Sequence, residues 1–286
     1  MDFQLSESSE YIDSKPSAER VRYVNPKPQI KDEQLDEADT HIEASTEIKY
    51  LKSGFSARFD KSDDLYALAL ELHDLAVSGN SEAQFYLAKA MLYCHSPDIP
   101  YTEVDSALTI ELTDWIRTRC AGFVNQNIEG LGNSDDWLEL SAEGKYPQSI
   151  VVSLLKIEDL PRSQSVLKDI QLALNTKNAE VMNLLGDLGQ RENNDITKEA
   201  WRFLACDYGY DCSVKSNDIW RLWVASDCSM KADYGQQCNT EVDYITYSKS
   251  RYTPEEFEKI MKKVALLKNT IESDRINELT LGQILD

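Results

Sequence analysis

From Leu65 onward the chain places apolar residues at three- and four-residue steps and meets few breakers. Leu65, Leu68, Leu72, Leu75 and Ala76 fall on one side of a 3.6-residue spiral, which is the pattern of a helix with one buried face. Only 11 Gly and 8 Pro occur in 286 residues. An all-β chain with a turn every ~8–12 residues needs more punctuation than this. The expected fold class is therefore all-α.

Gly79-Asn80 ends the first of these helices. Ser81-Glu-Ala-Gln84 has the form of a capping box and opens a second, carrying Phe85, Leu87, Ala88, Met91 and Leu92 as far as Cys94. Beyond Pro97 and Pro100, Thr102 opens a third helix with Val104, Leu108, Leu112, Trp115 and Ile116 on one side, reaching Cys120. A loop over 121–133 follows. Ser134 is read as the cap of a helix from Asp135 to Glu143, and Pro147 takes the first position of the next. Pro161 is read as the start of another, with Val166, Ile170, Ala173 and Leu174. Asn178 caps a helix with Val181, Leu184, Leu185 and Leu188, and Asp195 opens one that ends at Gly209. Ile219, Trp220, Leu222 and Trp223 make a brief aromatic helix, and Cys228 to Cys238 reads as a loop. Thr253-Pro-Glu-Glu256 combines a capping box with Pro at the first helical position and leads about five helical turns. That makes about ten helices, and their short connections imply antiparallel neighbours. Residues 1–50 hold Ser, Glu, Asp and Lys with Pro16, Pro26 and Pro28, and too few large apolar groups to offset their ordering entropy. They read as a disordered or extended tail.

The formal net charge is −20. Nucleic-acid binding rests on neutralising phosphates with Lys and Arg, and anionic membrane surfaces need the same. No basic run answers either need, because Lys259, Lys262 and Lys263 stand among glutamates. The charge suits solubility or a partner with a basic surface. No apolar run approaches the ~20 residues of a membrane span, so no membrane insertion is expected of this chain. The start, Met-Asp-Phe-Gln-Leu-Ser-Glu, lacks the basic and apolar regions of a signal peptide.

Six cysteines bear on compartment: Cys94, Cys120, Cys206, Cys212, Cys228 and Cys238. Zinc sites want close Cys or His pairs, and neither CxxC nor a His pair is present. Disulfides fit an even count and imply an extracytoplasmic, periplasmic home with any signal or anchor removed; reduced, buried cysteines in a cytoplasmic protein remain the alternative. The expected pairs are Cys94–Cys120, which joins two helix ends, and the local pairs Cys206–Cys212 and Cys228–Cys238.

Trp137-Leu-Glu-Leu-Ser-Ala-Glu-Gly144 matches Trp201-Arg-Phe-Leu-Ala-Cys-Asp-Tyr-Gly209: Trp, Leu three on, a small pair, then Gly. His73-Asp-Leu-Ala-Val-Ser-Gly79 closes a helix the same way and is followed by Asn80-Ser-Glu-Ala83-Gln84-Phe-Tyr-Leu87. Small residues at a helix end admit a close neighbour, and Gly supplies the left-handed residue that stops the helix. On these residues the chain resembles the Sel1-like repeat family, relatives of the tetratricopeptide repeats, over roughly 64–210. The resemblance implies αα hairpins stacked as a short solenoid over 51–210, with a Cys-rich helical module at 211–286 packed on it. It further implies protein–protein scaffolding without catalysis, as in bacterial envelope proteins of this type, and one version is an immunity or inhibitor protein for a secreted effector.

No residue pattern for catalysis, metal or cofactor stands out. His73 and His95 read as surface or capping residues, and neither G-x-S-x-G nor a P-loop is present. Asp135-Asp136 and Glu255-Glu256 sit at helix N-termini, where the helix dipole accounts for them. A carboxylate-dependent envelope hydrolase is the rival reading; it requires two acids close together in a deep pocket. Trp220, Arg221, Trp223, Tyr234, Tyr244 and Tyr247 are the candidate partner-binding residues, being of the types that dominate interface hot spots.

Overall fold

The computed structural model describes residues 54–95, 107–125, 129–192, 194–233 and 237–286. The tail at 1–50, the residues around Pro97, Pro100, Thr102 and Val104, and Tyr234 lie outside the described residues. Thirteen α-helices and two short 3-10 turns, with no strand, make up the regular structure of the described residues.

Helix α1 (Gly54–Lys61) leads into α2 (Leu65–Val77), whose first N–H groups, on Tyr66 and Ala67, are accepted by the Asp64 side chain. α3 (Ser81–His95) follows, with the Asn80 side chain accepting from the Ala83 N–H at 2.9 Å. The box expected from Ser81 to Gln84 therefore gives way to Asn80, and Gln84 turns inward to donate to the Ala76 carbonyl at 3.0 Å. α4 (Ala107–Asn125) runs past Cys120, so the expected loop begins later. Gly122 lies inside this helix, where a Cβ would stand 2.5 Å from Tyr66 Cβ on α2. It marks a close helix contact, not a breaker.

α5 (Ser134–Glu143) is capped by Asn133, one residue before the expected Ser134. α6 (Pro147–Leu155) begins at Pro147 as expected. α7 (Gln164–Leu174) starts three residues beyond Pro161, because Ser163 accepts from the Val166 N–H and serves as its cap. α8 (Ala179–Arg191) is capped by Asn178, and α9 (Asp195–Asp207) by Asn194. α10 (Trp220–Asp233) is fourteen residues long and carries Cys228 within it, so the brief helix and the loop expected there are corrected together. α11 (Tyr244–Lys249), α12 (Pro254–Glu272) and α13 (Leu281–Leu285) close the chain. At α12 the Thr253–Glu256 capping box forms in full, with Pro254 at the first position. α1, α11 and α13 were not expected; each is under nine residues, too short to develop an apolar period.

One turn recurs. After α2, Asn80 N–H reaches back to Leu75 O (3.1 Å) around Gly79; after α5, Tyr146 N–H reaches Ser141 O (3.1 Å) around Lys145; after α9, Tyr210 N–H reaches Ala205 O (2.9 Å) around Gly209. The central residues have φ of 94°, 62° and 97°. This is the Schellman end that a left-handed residue permits. The sequence match placed Gly144 opposite Gly209, and the structure corrects it to Lys145. Gly144 has another duty, since a Cβ there would stand 1.9 Å from Ser81 Oγ on α3.

The buried apolar residues form two clusters. One gathers α1 to α5 around Leu72, Tyr86, Leu87 and Ile116; the other gathers α6 to α13 around Ile170, Leu185, Trp201 and Leu267. Neighbouring helices pack in chain order: α2 on α3, α3 on α5, α5 on α6, α6 on α8, α8 on α9 and α9 on α12. Residues 211–286 serve both cores, for Leu222 of α10 lies in the first and Trp220 and Val224 in the second.

Candidate functional site

Polar chemistry collects at the seam between the two clusters. α3 carries a single cation, Lys89, amid Phe85-Tyr-Leu-Ala and Ala-Met-Leu-Tyr93. Its ammonium lies 4.6 Å from the centre of the Phe59 ring and 5.5 Å from that of Tyr86, and it pairs with Glu180 at the start of α8. Glu180 also accepts from the Tyr86 hydroxyl at 2.9 Å and from Gln148 Nε2 of α6 at 3.3 Å. One helical turn along α8, Asn183 donates to the Tyr210 hydroxyl at 3.3 Å, and that hydroxyl donates to Asp218. A further turn on, Asp187 accepts from Arg202 of α9 at 2.7 Å. Helical spacing thus aligns Glu180, Asn183 and Asp187 as one polar row.

The row is not a dry core. The side chains of Lys89 and Glu180 keep 31% and 15% of their surface, and Tyr210 and Asp218 are half-buried. Burial is nonetheless the largest influence on each group. It pulls the Lys89 ammonium down and the Glu180 carboxyl up, and their mutual attraction overrides it: Lys89 ends above its ordinary value and Glu180 below. Asp218 goes the other way. Burial raises its carboxyl, and the Tyr210 hydroxyl and the more distant Lys89 charge only partly offset that. The Tyr86 and Tyr210 phenols are pushed up by burial and by the neighbouring carboxylates. Lys89 therefore stays an ammonium and both tyrosines stay phenols at neutral pH. The polar cluster presents hydrogen-bond donors, a cation and carboxylates, and neither an amine nor a phenolate nucleophile.

Among the described residues three buried side-chain atoms have no protein partner: Glu82 Oε1, Gln148 Oε1 and Trp220 Nε1. Gln148 is 2% exposed, and its Nε2 is already on Glu180.

The aromatic residues named as partner-binding candidates divide sharply. Trp220, Arg221, Tyr244 and Tyr247 are buried, with at most 8% of their surface exposed. Trp220 stacks edge-on with Tyr244 at 5.5 Å, and Arg221 donates to the Thr240 carbonyl at 2.7 Å. The Tyr244 hydroxyl donates to Glu199 at 2.9 Å, and that of Tyr247 to Asp227 at 3.2 Å. These four hold the second core together and do not form an open patch. Trp223 alone of the described five faces solvent, at 58% exposed. The disagreement has a simple cause: aromatic composition marks cores and interfaces alike.

Glu199, 2% exposed, is held by the hydroxyls of Tyr244 and Ser248, the latter at 2.6 Å. His95 Nδ1 bonds the Met91 carbonyl at 2.8 Å at the end of α3, and His73 lies edge-on to Trp137. Asp135 and Asp136 sit in the first turn of α5, Glu255 and Glu256 in that of α12. A surface hollow of about 480 Å³ between α1 and α2 is lined by Arg58, Lys61, Asp64 and Glu71. Arg58 pairs with Glu71 and Asp64 caps α2.

Cysteine placement follows the expected pairs. Cys94–Cys120 ties α3 to α4, Cys206–Cys212 ties the end of α9 to the segment after it, and Cys228–Cys238 ties α10 to the chain beyond, with Cα separations of 5.2, 5.6 and 5.1 Å. No cysteine is free. Such bonds persist in oxidising surroundings. Among the described residues no helix is long and apolar enough to cross a membrane.

Comparison with protein-family models, with curated proteins and with solved structures gives no significant match. The polar cluster therefore stands on its own geometry. Lys89, Glu180, Gln148 and Asp218 were missed in the sequence. One signal was there: a lone lysine in an apolar helix has to find a partner or a route to water. Nothing local marks Glu180 as that partner, 91 residues away.

Proposed function

We propose that this chain is a non-enzymatic helical scaffold of the Sel1-like kind, working by binding another protein in an extracytoplasmic compartment, the bacterial envelope being the setting its sequence resembles. The recurring turn carries the reading. A helix that ends at a left-handed residue followed at once by a second helix is an αα hairpin, and α2/α3 and α5/α6 are joined in this way by Gly79 and Lys145. Hairpins laid side by side in chain order are the unit of helical solenoids, which act through the surface they expose. The three cysteine pairs favour a location outside the reducing cytosol.

A second reading, acid–base chemistry on two carboxylates, is favoured by one observation: Glu180 is held low and Asp218 is driven high in the same polar cluster, the divergence that separates a base from an acid. Against it, Glu180 is already engaged by Lys89, Tyr86 and Gln148. Cross-linking in the native cell envelope, followed by titration of the purified pair in a calorimeter, separates the readings. The scaffold reading expects a stoichiometric protein complex that survives Glu180→Gln without loss of any turnover. Turnover of a small substrate that Glu180→Gln abolishes, with no stoichiometric partner, contradicts it.

A further inference from the structure

Two neighbouring helices leave apolar side chains uncovered on adjoining edges. On α2, Leu70 and Val77 stand about two helical turns apart, 50% and 57% exposed, with His73 between them. On α5, Leu140 is 44% exposed and lies three residues beyond Trp137. The His73 and Trp137 rings meet edge-on at 6.0 Å, and α3 packs against both helices. Residues three and four apart are neighbours on a helix surface. Leu70 and Val77 therefore border the ring contact on the α2 side, and Leu140 borders it on the α5 side. Clustered apolar groups with a polar rim mark interaction surfaces. The rim here has one sign. Neither α2 nor α5 contains a lysine or an arginine. Asp74 is exposed between Leu70 and Val77, and Asp136 and Glu143 are exposed one turn before and one turn after Leu140. The lysine and arginine pairs recorded for these helices, Arg58–Glu71 and Lys156–Asp135, use other acids. A second copy laid on this strip across a two-fold axis would set acids against acids, which is unfavourable. Charge complementarity selects a basic partner instead, and the net charge of −20 draws such a partner in.

We propose that the strip formed by α2 and α5 docks a basic amphipathic helix of a protein partner. The apolar face of that helix covers Leu70, Val77 and Leu140, and its flanking lysines or arginines meet Asp74, Asp136 and Glu143. The two-turn spacing of Leu70 and Val77 matches apolar anchors repeated along one face of a helix. This rests on the protein-binding reading above and gives it a surface and a partner chemistry.

The test uses the oxidised full chain and a fluorescein-labelled peptide of about four helical turns, with leucines on one face and lysines on the other. Binding is read by anisotropy at 150 mM salt, where exposed charges beyond about 8 Å are screened. A second peptide has the same composition with its leucines scattered around the helix. Three double variants accompany them: Leu70→Ser with Leu140→Ser, Asp136→Asn with Glu143→Gln, and Leu266→Ser with Glu258→Gln. The last makes the same kinds of change on α12, where Leu266 is 47% exposed and Glu258 lies on the surface. All six positions are exposed, so the variants should melt with the parent. The amphipathic peptide should bind at least about tenfold more weakly to the Leu70/Leu140 variant and at least about threefold more weakly to the Asp136/Glu143 variant. The α12 variant should lose less than about twofold, and the scattered peptide should bind at least about tenfold more weakly than the amphipathic one. No binding, equal loss in the strip and α12 variants, or equal binding of the two peptides overturns the proposal. A dimer in the ultracentrifuge that Leu70→Ser with Leu140→Ser abolishes assigns the strip to a second copy and overturns it too. A native partner that both strip variants still capture overturns the strip while leaving the scaffold reading in place.

Discussion

Lys89 and Glu180 show what one pair of residues does at the seam between the two cores. Removing Glu180 leaves an ammonium facing Phe59 and Tyr86 with no carboxylate. Breaking a buried pair in this way is strongly unfavourable; the partial exposure of Lys89 lessens the penalty, and Glu180→Gln should cost about 2 kcal/mol in urea unfolding at pH 7. The pH dependence has a definite sign. Glu180 titrates lower in the folded chain than its ordinary 4.5, so its contribution is present above that value and is lost as pH falls through the folded one. The gap between the parent and Glu180→Gln should therefore narrow as pH is lowered from about 4.5; a gap that stays constant as the solution is acidified would contradict the pairing. Trp220 and Trp223, three residues apart on α10, make a second contrast. Trp220→Ala should cost about 3 kcal/mol or more, while Trp223→Ala should change stability by less than about 0.5 kcal/mol. Thermal and urea melts of the two check it. Sequence reasoning named both tryptophans and could not separate them, because one-sided burial depends on where α10 docks and not on residue type.

Elements were legible wherever they carried their own signal. Asn178, Pro147 and the Thr253–Glu256 box start helices where the local chemistry says they do. Starts were displaced where two capping residues stood side by side: Asn80 prevailed over Ser81 and Asn133 over Ser134, a competition settled by which residue holds the extended backbone. The recurring turn was legible as a Gly pattern but one residue out of register at α5. Lys145, at φ 62°, occupies the position filled by Gly209 after α9, at φ 97°. A side chain there is strained, so Lys145→Gly should stabilise the fold by up to about 1 kcal/mol. Gly209→Ala should destabilise it by about 1 kcal/mol. Equal and negligible shifts in the urea midpoint for both would contradict the equivalence of the two turns.

At the scale of the whole molecule, two apolar cores are joined by helices that pack in chain order and by α10, which contributes to both. The all-helical class followed from the apolar rhythm and the scarcity of Gly and Pro. The polar cluster did not, because it unites α3, α6, α8 and the segment before α10, and a pairing across 91 residues leaves no local trace. The three disulfides favour oxidising surroundings for such a chain. The most direct test is the intact mass of the protein made under oxidising conditions, alkylated under denaturing conditions with and without prior reduction. Three bridges predict no added alkyl groups before reduction and six after it. Six groups added without reduction would contradict the account and place the chain among reduced, cytosolic scaffolds.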